Sequence, residues 1–123
     1  RDLKPENVLI NDDGYIVLTD FGMSKQVEPG EKCYSFAGTP EYIGSKAVMQ
    51  RQIIKSAGHN KSVDWWSLGI LIYEMLVGIV PFHHKNQNIL FNNILEKEVQ
   101  FKQEDLLSEN AKNLITRVHS ILI

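Results

Sequence analysis

The chain opens with Arg1-Asp2-Leu3-Lys4-Pro5-Glu6-Asn7, and Asp20-Phe21-Gly22 follows a short distance later. The first stretch brings a carboxylate, an ammonium group and a carboxamide close together, and the second adds another carboxylate. Either stretch alone is weak evidence, because charged side chains in loops are most often merely solvated. Their occurrence in this order, close together in the chain, indicates one shared site rather than two unrelated loops.

The residues between these two stretches predict a β-hairpin. Val8-Leu9-Ile10 and residues 15–19 are rich in apolar, β-branched and aromatic residues, and the turn-forming run Asn11-Asp12-Asp13-Gly14 separates them. A tight hairpin returns the chain to the point where it began. We therefore expect Asp20 to lie beside Asn7.

The side chains gathered in this way suit phosphoryl transfer from ATP. The reaction needs a carboxylate to orient the attacking hydroxyl group, oxygen ligands for magnesium, and cations around the transferred phosphate. Asp2 and Asp20 supply two carboxylates. Asn7 supplies an amide oxygen, and Lys4 supplies a cation. The residue types therefore match the chemistry, although the pattern does not assign a role to each one.

Several stretches of the sequence resemble the protein kinase family. Arg1 to Asn7 resembles the kinase catalytic loop, and Asp20-Phe21-Gly22 resembles the magnesium-binding motif. Further resemblances, which together cover nearly the whole chain, are found in Gly38-Thr39-Pro40-Glu41-Tyr42, Asp64-Trp65-Trp66-Ser67-Leu68-Gly69 and Gly78-Ile79-Val80-Pro81-Phe82.

The resemblance implies specific roles and the cofactors ATP and Mg²⁺. Asp2 is expected to accept the proton of the substrate hydroxyl group, and Lys4 to contact the γ-phosphate of ATP. Asn7 and Asp20 are expected to hold magnesium. Phe21 is expected to pack in the core and to set the orientation of the magnesium motif.

The implied fold is mainly α with a short β-hairpin. It corresponds to the C-terminal lobe of the two-lobed α+β kinase fold, truncated at both ends, so the isolated chain is expected to be inactive. The expected divisions of this partial kinase domain, residues 1–123, are the catalytic loop 1–7, the magnesium motif 20–22, the activation segment 20–46 and the helical lobe 64–123.

Three helices are expected in the second half. Residues 64–77 are apolar nearly all round, which predicts a helix buried on every side and ended by Pro81. Residues 86–97 predict an amphipathic helix, and Ser108 predicts the N-cap of the last one. The apolar stripe expected to bury that last helix is Ala111, Leu114, Ile115, Val118 and Leu122.

The subgroup can also be inferred from resemblance. Lys4 and Thr39 fit the serine/threonine class of kinases rather than the tyrosine class. Asp64-Trp65-Trp66 and the run Ser35-Phe36-Ala37-Gly38-Thr39 resemble the AGC group. Residues 17–25 are most similar to the ribosomal S6 kinases and the mitogen- and stress-activated kinases.

Regulation by phosphorylation is implied at Ser35, which matches the activation-loop site of AGC kinases. Arg1 and Lys25 are the matching cations expected to bind that phosphate. An upstream activating kinase is the implied partner. The alternative is that Ser35 is an ordinary loop serine.

Protein substrates are the other implied partners. Glu6 and Glu74 match positions that bind substrate arginines, with which a carboxylate forms a bidentate pair, so Arg before the acceptor is expected. Thr39 and Glu41 belong to the expected substrate-binding end of the activation segment. The alternative for Glu74 is an internal structural ion pair.

One departure from the family pattern favours a rival function. Gly44-Ser45-Lys46 stands where kinases carry Ala-Pro-Glu, and residues 47–61 form an apparent insertion. Because Lys46 reverses a charge, the ion pair that usually anchors the activation segment is not expected to form. The rivals are a non-catalytic pseudokinase or degenerate fragment that binds partners and, more remotely, a simple helical interaction domain.

Composition excludes several other classes. The chain of 123 residues carries 13 basic and 15 acidic residues, a net charge of −2 that gives no general attraction to nucleic acid. The longest apolar run, residues 65–80, is too short for a membrane span and contains Glu74. Cys33 is the only cysteine, so the expected location is intracellular, cytoplasmic or nuclear.

Overall fold

The computed structural model describes residues 1–35, 37–44, 58–102 and 106–120. Within these ranges the chain is mostly helical, with one two-stranded antiparallel sheet, so the predicted fold class is confirmed. The elements in chain order are strands β1 (Val8–Ile10) and β2 (Ile16–Leu18), and helices α1 (Ser62–Val77), α2 (Gln87–Glu96) and α3 (Glu109–Ser120). Short 3-10 turns are formed by Pro5–Asn7 and Pro40–Tyr42.

The predicted hairpin is present, and it returns the chain as expected. Strands β1 and β2 pair in the register that places Val8 opposite Leu18. Gly14 turns the chain with φ of 81°, in the left-handed region that glycine adopts without strain. Beyond the last pair, the Thr19 amide donates to the Asn7 carbonyl oxygen at 2.9 Å. The residue before Asp20 is therefore joined to the residue that ends the catalytic loop.

Helix α1 begins and ends at local capping signals rather than at Pro81. The Asn60 side chain accepts a hydrogen bond of 2.9 Å from the Ser62 amide at the start of the helix. At its end, Gly78 adopts φ of 88° and its amide donates to the Glu74 carbonyl oxygen at 2.7 Å. This left-handed glycine satisfies a helix-terminal carbonyl group and turns the chain out of the helix.

The prediction that α1 is buried on every side is wrong. Trp66 and Ile70 are each 1% exposed, whereas Trp65 is 51% exposed and Met75 67% exposed. Helix α3 and the Pro40–Tyr42 turn pack against α1 within the described ranges, and they cover only part of its circumference. The apolar sequence of α1 thus exceeds what these neighbours can bury.

The amphipathic helix α2 forms as predicted. Asn86 caps it, since its side-chain oxygen accepts from the Asn88 amide at 2.9 Å and from the Ile89 amide at 3.4 Å. Leu90 and Ile94, one turn apart, are both buried. Together with Phe91 next to Leu90, they fix one face of α2 against the core.

Helix α3 begins where the sequence indicates, but its buried stripe is narrower than predicted. The Ser108 hydroxyl oxygen accepts from the Ala111 amide at 3.2 Å, which confirms the predicted N-cap. Ile115 is 1% exposed, and α3 packs against α1. Leu114 is 51% exposed, so its predicted burial is wrong. Leu122 lies outside the described residues.

The core lies where α1, α2 and the Pro40–Tyr42 turn meet. No helix in the described ranges is long and apolar enough to cross a bilayer. Phe36, Ser45, Lys46 and most of the apparent insertion lie outside the described residues. The buried core residues are Tyr42, Ile43, Trp66, Ile70, Leu71, Phe82, Leu90, Phe91 and Ile94.

Candidate active site

The Asp2 carboxylate is the centre of the site, and both of its oxygens are occupied. Oδ1 accepts from the Thr39 amide at 2.9 Å and from the Thr39 hydroxyl group at 2.7 Å. Oδ2 lies 2.9 Å from the Lys4 ammonium nitrogen and accepts from the Asn7 side-chain amide at 3.4 Å. The carboxylate is therefore held in one orientation by groups from two separate segments.

The Thr39 hydroxyl group links Asp2 and Lys4, two of the charged residues of the catalytic loop. It accepts a hydrogen bond of 2.9 Å from Lys4 Nζ while it donates to Asp2. Sequence reasoning assigned Thr39 to substrate binding and missed this link. The one feature that could have predicted the contact is that Lys4 and Thr39 both fit the serine/threonine class of kinases. Their spacing in the chain cannot reveal it, because the two residues lie far apart in the sequence.

Gly38 allows the activation segment to approach the catalytic loop. A Cβ atom built on Gly38 would lie 2.7 Å from the Arg1 carbonyl oxygen, closer than real Cβ atoms come to other atoms. Its φ of 114° is also a conformation that side chains disfavour. Glycine at this position therefore permits the close contact that brings Thr39 to Asp2.

The hydrogen bonds keep the Asp2–Lys4 pair ionised. Burial acts to raise the pKa of Asp2, but hydrogen bonds from Thr39 and Lys4, with the Lys4 charge, outweigh it and hold that pKa below its usual range. The hydrogen bond to Asp2 in turn raises the pKa of Lys4. At neutral pH the site thus presents a carboxylate that accepts hydrogen bonds, next to an ammonium group.

Asn7 and Asp20 suit magnesium by the chemistry of their donor atoms. The Asn7 amide nitrogen donates to the Asp2 carbonyl oxygen at 2.8 Å, and its Oδ1 accepts no hydrogen bond from the described residues. Asp20 is exposed, and its Oδ1 accepts only from the Gly22 amide at 3.2 Å within the described ranges. A free amide oxygen and a free carboxylate oxygen are hard ligands of the kind that Mg²⁺ takes together with phosphate oxygens.

The backbone of Asp20 supports the same assignment. Its φ of 56° lies in the left-handed region, which is uncommon for a residue other than glycine. Such conformations persist where the surroundings impose them, and they cluster at functional sites. In the described part of the chain, no three His, Cys, Asp or Glu side chains form a cluster that could hold a metal without phosphate ligands.

Phe21 does not pack in the core, so that prediction is wrong. Its side chain is 66% exposed. The core lies between α1, α2 and the Pro40–Tyr42 turn, whereas Phe21 follows β2, whose own residues are exposed. The described residues therefore provide no apolar pocket that could set the orientation of the magnesium motif through this ring.

Comparison with known proteins agrees with this geometry. A family model described as the protein kinase domain matches residues 1–121. The chain belongs to the protein kinase family. The match covers both the segment that carries Asp2 and the helices that support it.

Individual kinases are similar over almost all of this chain. Ribosomal protein S6 kinase alpha-6 of Danio rerio is 47% identical over 116 residues, 94% of the chain and 15% of that protein. The cAMP-dependent protein kinase catalytic subunit 3 of Drosophila melanogaster is 44% identical over 118 residues, 96% of the chain and 18% of that protein. Protein kinase 2 of Dictyostelium discoideum is 43% identical over 115 residues, 94% of the chain and 22% of that protein.

The relatives agree with the subgroup predicted from the motifs. They are serine/threonine kinases of the AGC type, so the predicted resemblance is confirmed. The chain spans a quarter or less of the length of the curated relatives it matches.

The activation loop of this kinase chain brings together one of the two predicted phosphate-binding cations and Ser35. Arg1 Nη1 donates to the Ser35 hydroxyl oxygen at 2.6 Å, and Arg1 Nε donates to the Met23 carbonyl oxygen at 2.6 Å. Lys25 instead pairs with Glu31 at 2.9 Å. That hydrogen bond raises the pKa of Lys25 and lowers the pKa of Glu31.

The Tyr42 hydroxyl group contacts one of the predicted substrate carboxylates of the kinase, Glu74, and lies within electrostatic range of two others, Glu6 and Glu41. Tyr42 donates a short hydrogen bond to Glu74 Oε2. Burial, this hydrogen bond, and the charges of Glu74, Glu6 and Glu41 all raise the pKa of Tyr42. In the described ranges the partner of Glu74 is thus a neutral hydroxyl group, not the cation expected from the ion-pair alternative.

Helix α1 contacts both segments that form the kinase site. Asp64, in its first turn, lies 3.3 Å through Oδ1 from the main-chain nitrogen of Arg1. Further along, the Ser67 hydroxyl group donates to the Tyr42 carbonyl oxygen at 2.8 Å. The same helix therefore holds the start of the catalytic loop and the end of the described activation segment, a role that sequence reasoning did not assign to either residue.

Proposed function

We propose that this chain carries the catalytic residues of a serine/threonine protein kinase, which, as part of a longer protein, transfers the γ-phosphate of ATP to protein hydroxyl groups. The observation that carries the proposal is the Asp2 carboxylate, held by Thr39 and Lys4 and adjoining Asn7. Membership of the protein kinase family supports it, and so do the curated serine/threonine kinase relatives.

Asp2 orients the hydroxyl group of the substrate and takes its proton. Its lowered pKa keeps it ionised at neutral pH, so it is available as an acceptor. Because Thr39, Lys4 and Asn7 restrain the carboxylate, it needs little reorganisation when the substrate arrives. This residue therefore contributes mainly by positioning the attacking oxygen.

Lys4 and the magnesium ligands stabilise negative charge. Lys4, with a raised pKa, stays positively charged beside the position of the transferred phosphoryl group. Asn7 and Asp20 would hold magnesium, which supplies positive charge to the phosphate groups of ATP when it is bound. The Asp20 side chain is exposed, so a nucleotide can reach its carboxylate.

The test of this function compares Asp2→Asn with Asp12→Asn in the full-length protein. Asp12 lies exposed in the hairpin turn and contacts no site residue among those described. Transfer of labelled phosphate from Mg-ATP to a serine peptide is measured. We expect Asp2→Asn to lower kcat about 10² to 10⁴-fold, the usual contribution of a positioned base, and Asp12→Asn to leave it unchanged.

Absence of transfer by the unsubstituted full-length protein would favour the non-catalytic pseudokinase. The departure at Gly44-Ser45-Lys46 is the feature on which that reading depends. A thermal shift titration with Mg-ATP then separates two cases. A raised melting temperature without transfer indicates a binding-only kinase relative, and neither response indicates a degenerate fragment.

We further propose that Ser35 is the activation-loop phosphorylation site and that an upstream kinase modifies it. The contact from Arg1 to the Ser35 hydroxyl oxygen supports this, because a phosphate there would meet a cation that adjoins Asp2. Lys25 joins the phosphate only if it leaves Glu31, with which it forms an exposed ion pair that solvent screens.

Replacement of Ser35 with alanine tests the regulatory role. In full-length protein from cells, Ser35→Ala is expected to lower activity, and treatment of the unsubstituted enzyme with phosphatase is expected to lower it equally. Ser24, an exposed serine of the same loop, provides the control through Ser24→Ala. Equal activity of Ser35→Ala and the unsubstituted enzyme would leave Ser35 as an ordinary loop serine.

We also propose a preference for arginine before the acceptor. Glu6 and Glu74 both contribute negative charge at the Tyr42 hydroxyl group, which supports a shared acidic surface for a guanidinium group. An array of serine peptides with Arg, Lys or Ala at each upstream position measures the preference. We expect Glu6→Gln to weaken it by raising KM for arginine peptides and not for alanine peptides; equal effects on both would contradict it.

A further inference from the structure

The activation loop is paired with the segment that precedes α1. The Cys33 amide donates to the His59 carbonyl oxygen at 2.7 Å, and the His59 amide donates to the Cys33 carbonyl oxygen at 2.8 Å. This two-bond antiparallel contact, here called the Cys33–His59 bridge, joins residues far apart in the chain. Both residues are buried, Cys33 at 3% and His59 at 6% exposure.

Gly58 is the residue that lets the two segments meet. A Cβ atom built there would lie 2.8 Å from Lys32 Cβ and 2.9 Å from a ring carbon of Tyr34. Those two residues flank Cys33, so any side chain at position 58 would press on the loop from both sides of the bridge. Gly58 also has φ of 57°, a conformation that glycine adopts at least cost.

The bridge restricts where Ser35 can be. Two residues of fully extended chain span about 7 Å, so fixing Cys33 confines Ser35 to a small volume. Within that volume, the Ser35 hydroxyl oxygen meets Arg1 at 2.6 Å. His59 also lines the same small cavity as Arg1, Asp2 and Thr39. The bridge therefore lies close to the catalytic loop.

We propose that Gly58 and His59 are positioning residues, which hold the activation loop through the Cys33–His59 bridge so that Ser35 faces Arg1. The bridge acts before any phosphate is present, because it consists only of main-chain hydrogen bonds and close packing. The expected effect of the bridge on catalysis rests on the proposed function. Its structural consequence, an ordered loop at Lys32 and Ser35, does not depend on phosphate transfer.

The first experiment compares Gly58→Ala with Gly14→Ala in the full-length protein. Gly14 also has a positive φ, 81°, but a Cβ atom there would meet nothing within 4 Å. Both variants therefore carry the backbone cost of alanine in the left-handed region, and only Gly58→Ala presses on the activation loop. Differences between them report the loop contact rather than general strain.

Two measurements on this pair need no kinase activity. Trypsin cleavage after Lys32 is followed by mass spectrometry, and the release of phosphate from phospho-Ser35, supplied by an added upstream kinase, is followed with a nonspecific phosphatase. We expect both to be about tenfold faster in Gly58→Ala than in Gly14→Ala, the effect of losing about one hydrogen-bonded contact. Equal rates in the two variants would overturn the proposal.

The kinetic measurement separates this proposal from the proposed function. We expect Gly58→Ala to lower kcat several-fold with KM for ATP unchanged, because the loop and Arg1 are displaced while the nucleotide ligands are not. One outcome is that no protein transfers phosphate, but trypsin cleaves after Lys32 faster in Gly58→Ala than in the proteins that keep Gly58. In that case the proposed function is wrong and the proposal for the bridge is supported. If all transfer equally and Lys32 is cleaved equally, the bridge fails alone.

A second pair of variants decides the matter if Gly58→Ala does not fold. Cys33→Pro removes the amide that donates to His59, whereas Cys33→Ala keeps both main-chain hydrogen bonds. Faster release of phosphate from phospho-Ser35 in Cys33→Pro than in Cys33→Ala is expected. The same rate in both would show that the main-chain bonds do not order the loop.

Discussion

The hydroxyl group of Thr39 bonds both to the Asp2 carboxylate and to the Lys4 ammonium group. It donates to Asp2 at 2.7 Å and accepts from Lys4 at 2.9 Å. A carboxyl–ammonium contact alone fixes a distance but little orientation, since an ammonium group is a compact point charge. The additional hydroxyl group gives the pair a defined geometry, so the activation segment completes the site and does more than cover it.

Thr39→Val is predicted to damage catalysis far more than Thr39→Ser. Valine has nearly the same shape but neither donates to Asp2 nor accepts from Lys4, whereas serine keeps both hydrogen bonds. A hydrogen bond to a charged group is worth about 1.5–3 kcal/mol, which corresponds to a loss of about 10- to 100-fold in kcat for the valine variant. Steady-state kinetics of the full-length protein measure both variants, and equal kcat values would contradict the role of the hydroxyl group.

His59 is predicted to make stability fall as the pH is lowered. Burial, then the nearby positive charge of Arg1, lowers the pKa of His59, while Asp64 acts weakly in the opposite direction. Because the folded pKa is lower than the unfolded one, the unfolded chain binds more protons between the two values. The full stability is therefore present above the ordinary histidine pKa of about 6.5 and declines as the pH falls toward the folded value.

Thermal unfolding at pH 7.5 and pH 5.5 tests this dependence. Between pH 7.5 and pH 5.5 the melting temperature should fall further in the unsubstituted protein than in His59→Gln, because the glutamine side chain does not take up a proton in this range. His83 is exposed and serves as the control through His83→Gln, which should behave like the unsubstituted protein. Parallel curves for all three proteins would show that His59 carries no part of the pH dependence.

The contacts that sequence analysis found and missed differ in the kind of structure, a regular hairpin or an irregular loop, that brings the partners together. The hydrogen bond from Thr19 to Asn7, which brings the chain back beside the catalytic loop, followed from a hairpin whose turn and strands are encoded locally. The pairing of Lys25 with Glu31, rather than with Ser35, depends on the path of an irregular loop. No residue pattern predicts such a path, because several loop conformations satisfy the same short sequence.

At the scale of elements, the Ser108 cap and the buried face of α2 were predicted from the sequence, whereas the extent of the burial of α1 and α3 was not. Asn86 and Ser108 sit at helix starts because their side chains satisfy amide groups only a few residues away. The exposure of Trp65 and Leu114 depends instead on which neighbours pack against α1 and α3. An apolar helix surface indicates that something can cover it, but the sequence of the helix does not say what does.

Removal of the α2 cap is predicted to destabilise the protein by about 1 kcal/mol. Asn86→Ala deprives the Asn88 and Ile89 amides of their acceptor, and loss of an N-cap typically costs about this much. For a chain of this size the melting temperature should fall by about 4 °C. Asn92→Ala, the same change at an exposed position of α2, should leave it equal or slightly raised, since alanine favours the helix. Similar losses in both variants would remove the cap from the explanation.

At the scale of the whole molecule, buried and exposed apolar surface are divided unevenly. Between α1, α2 and the Pro40–Tyr42 turn, one face of each helix is buried in the core. The hairpin and the residues directly after it contribute no side chain to that buried cluster. The exposed apolar side chains there are Leu9, Ile10, Tyr15, Ile16, Val17, Leu18 and Phe21. Several exposed apolar side chains in one short hairpin favour association, unlike apolar residues scattered singly.

The isolated chain of 123 residues is therefore predicted to self-associate through the hairpin. Ile10 and Ile16 stand directly opposite each other in the strand pair, at 75% and 70% exposure. Ile10→Lys combined with Ile16→Glu places opposite charges across the strands and keeps the pairing. We expect this variant to elute nearer the monomer position in size-exclusion chromatography and to bind less of an apolar dye. Leu106→Lys changes a single residue at 93% exposure outside the hairpin, and an equal improvement there would mean that the hairpin surface is not the cause.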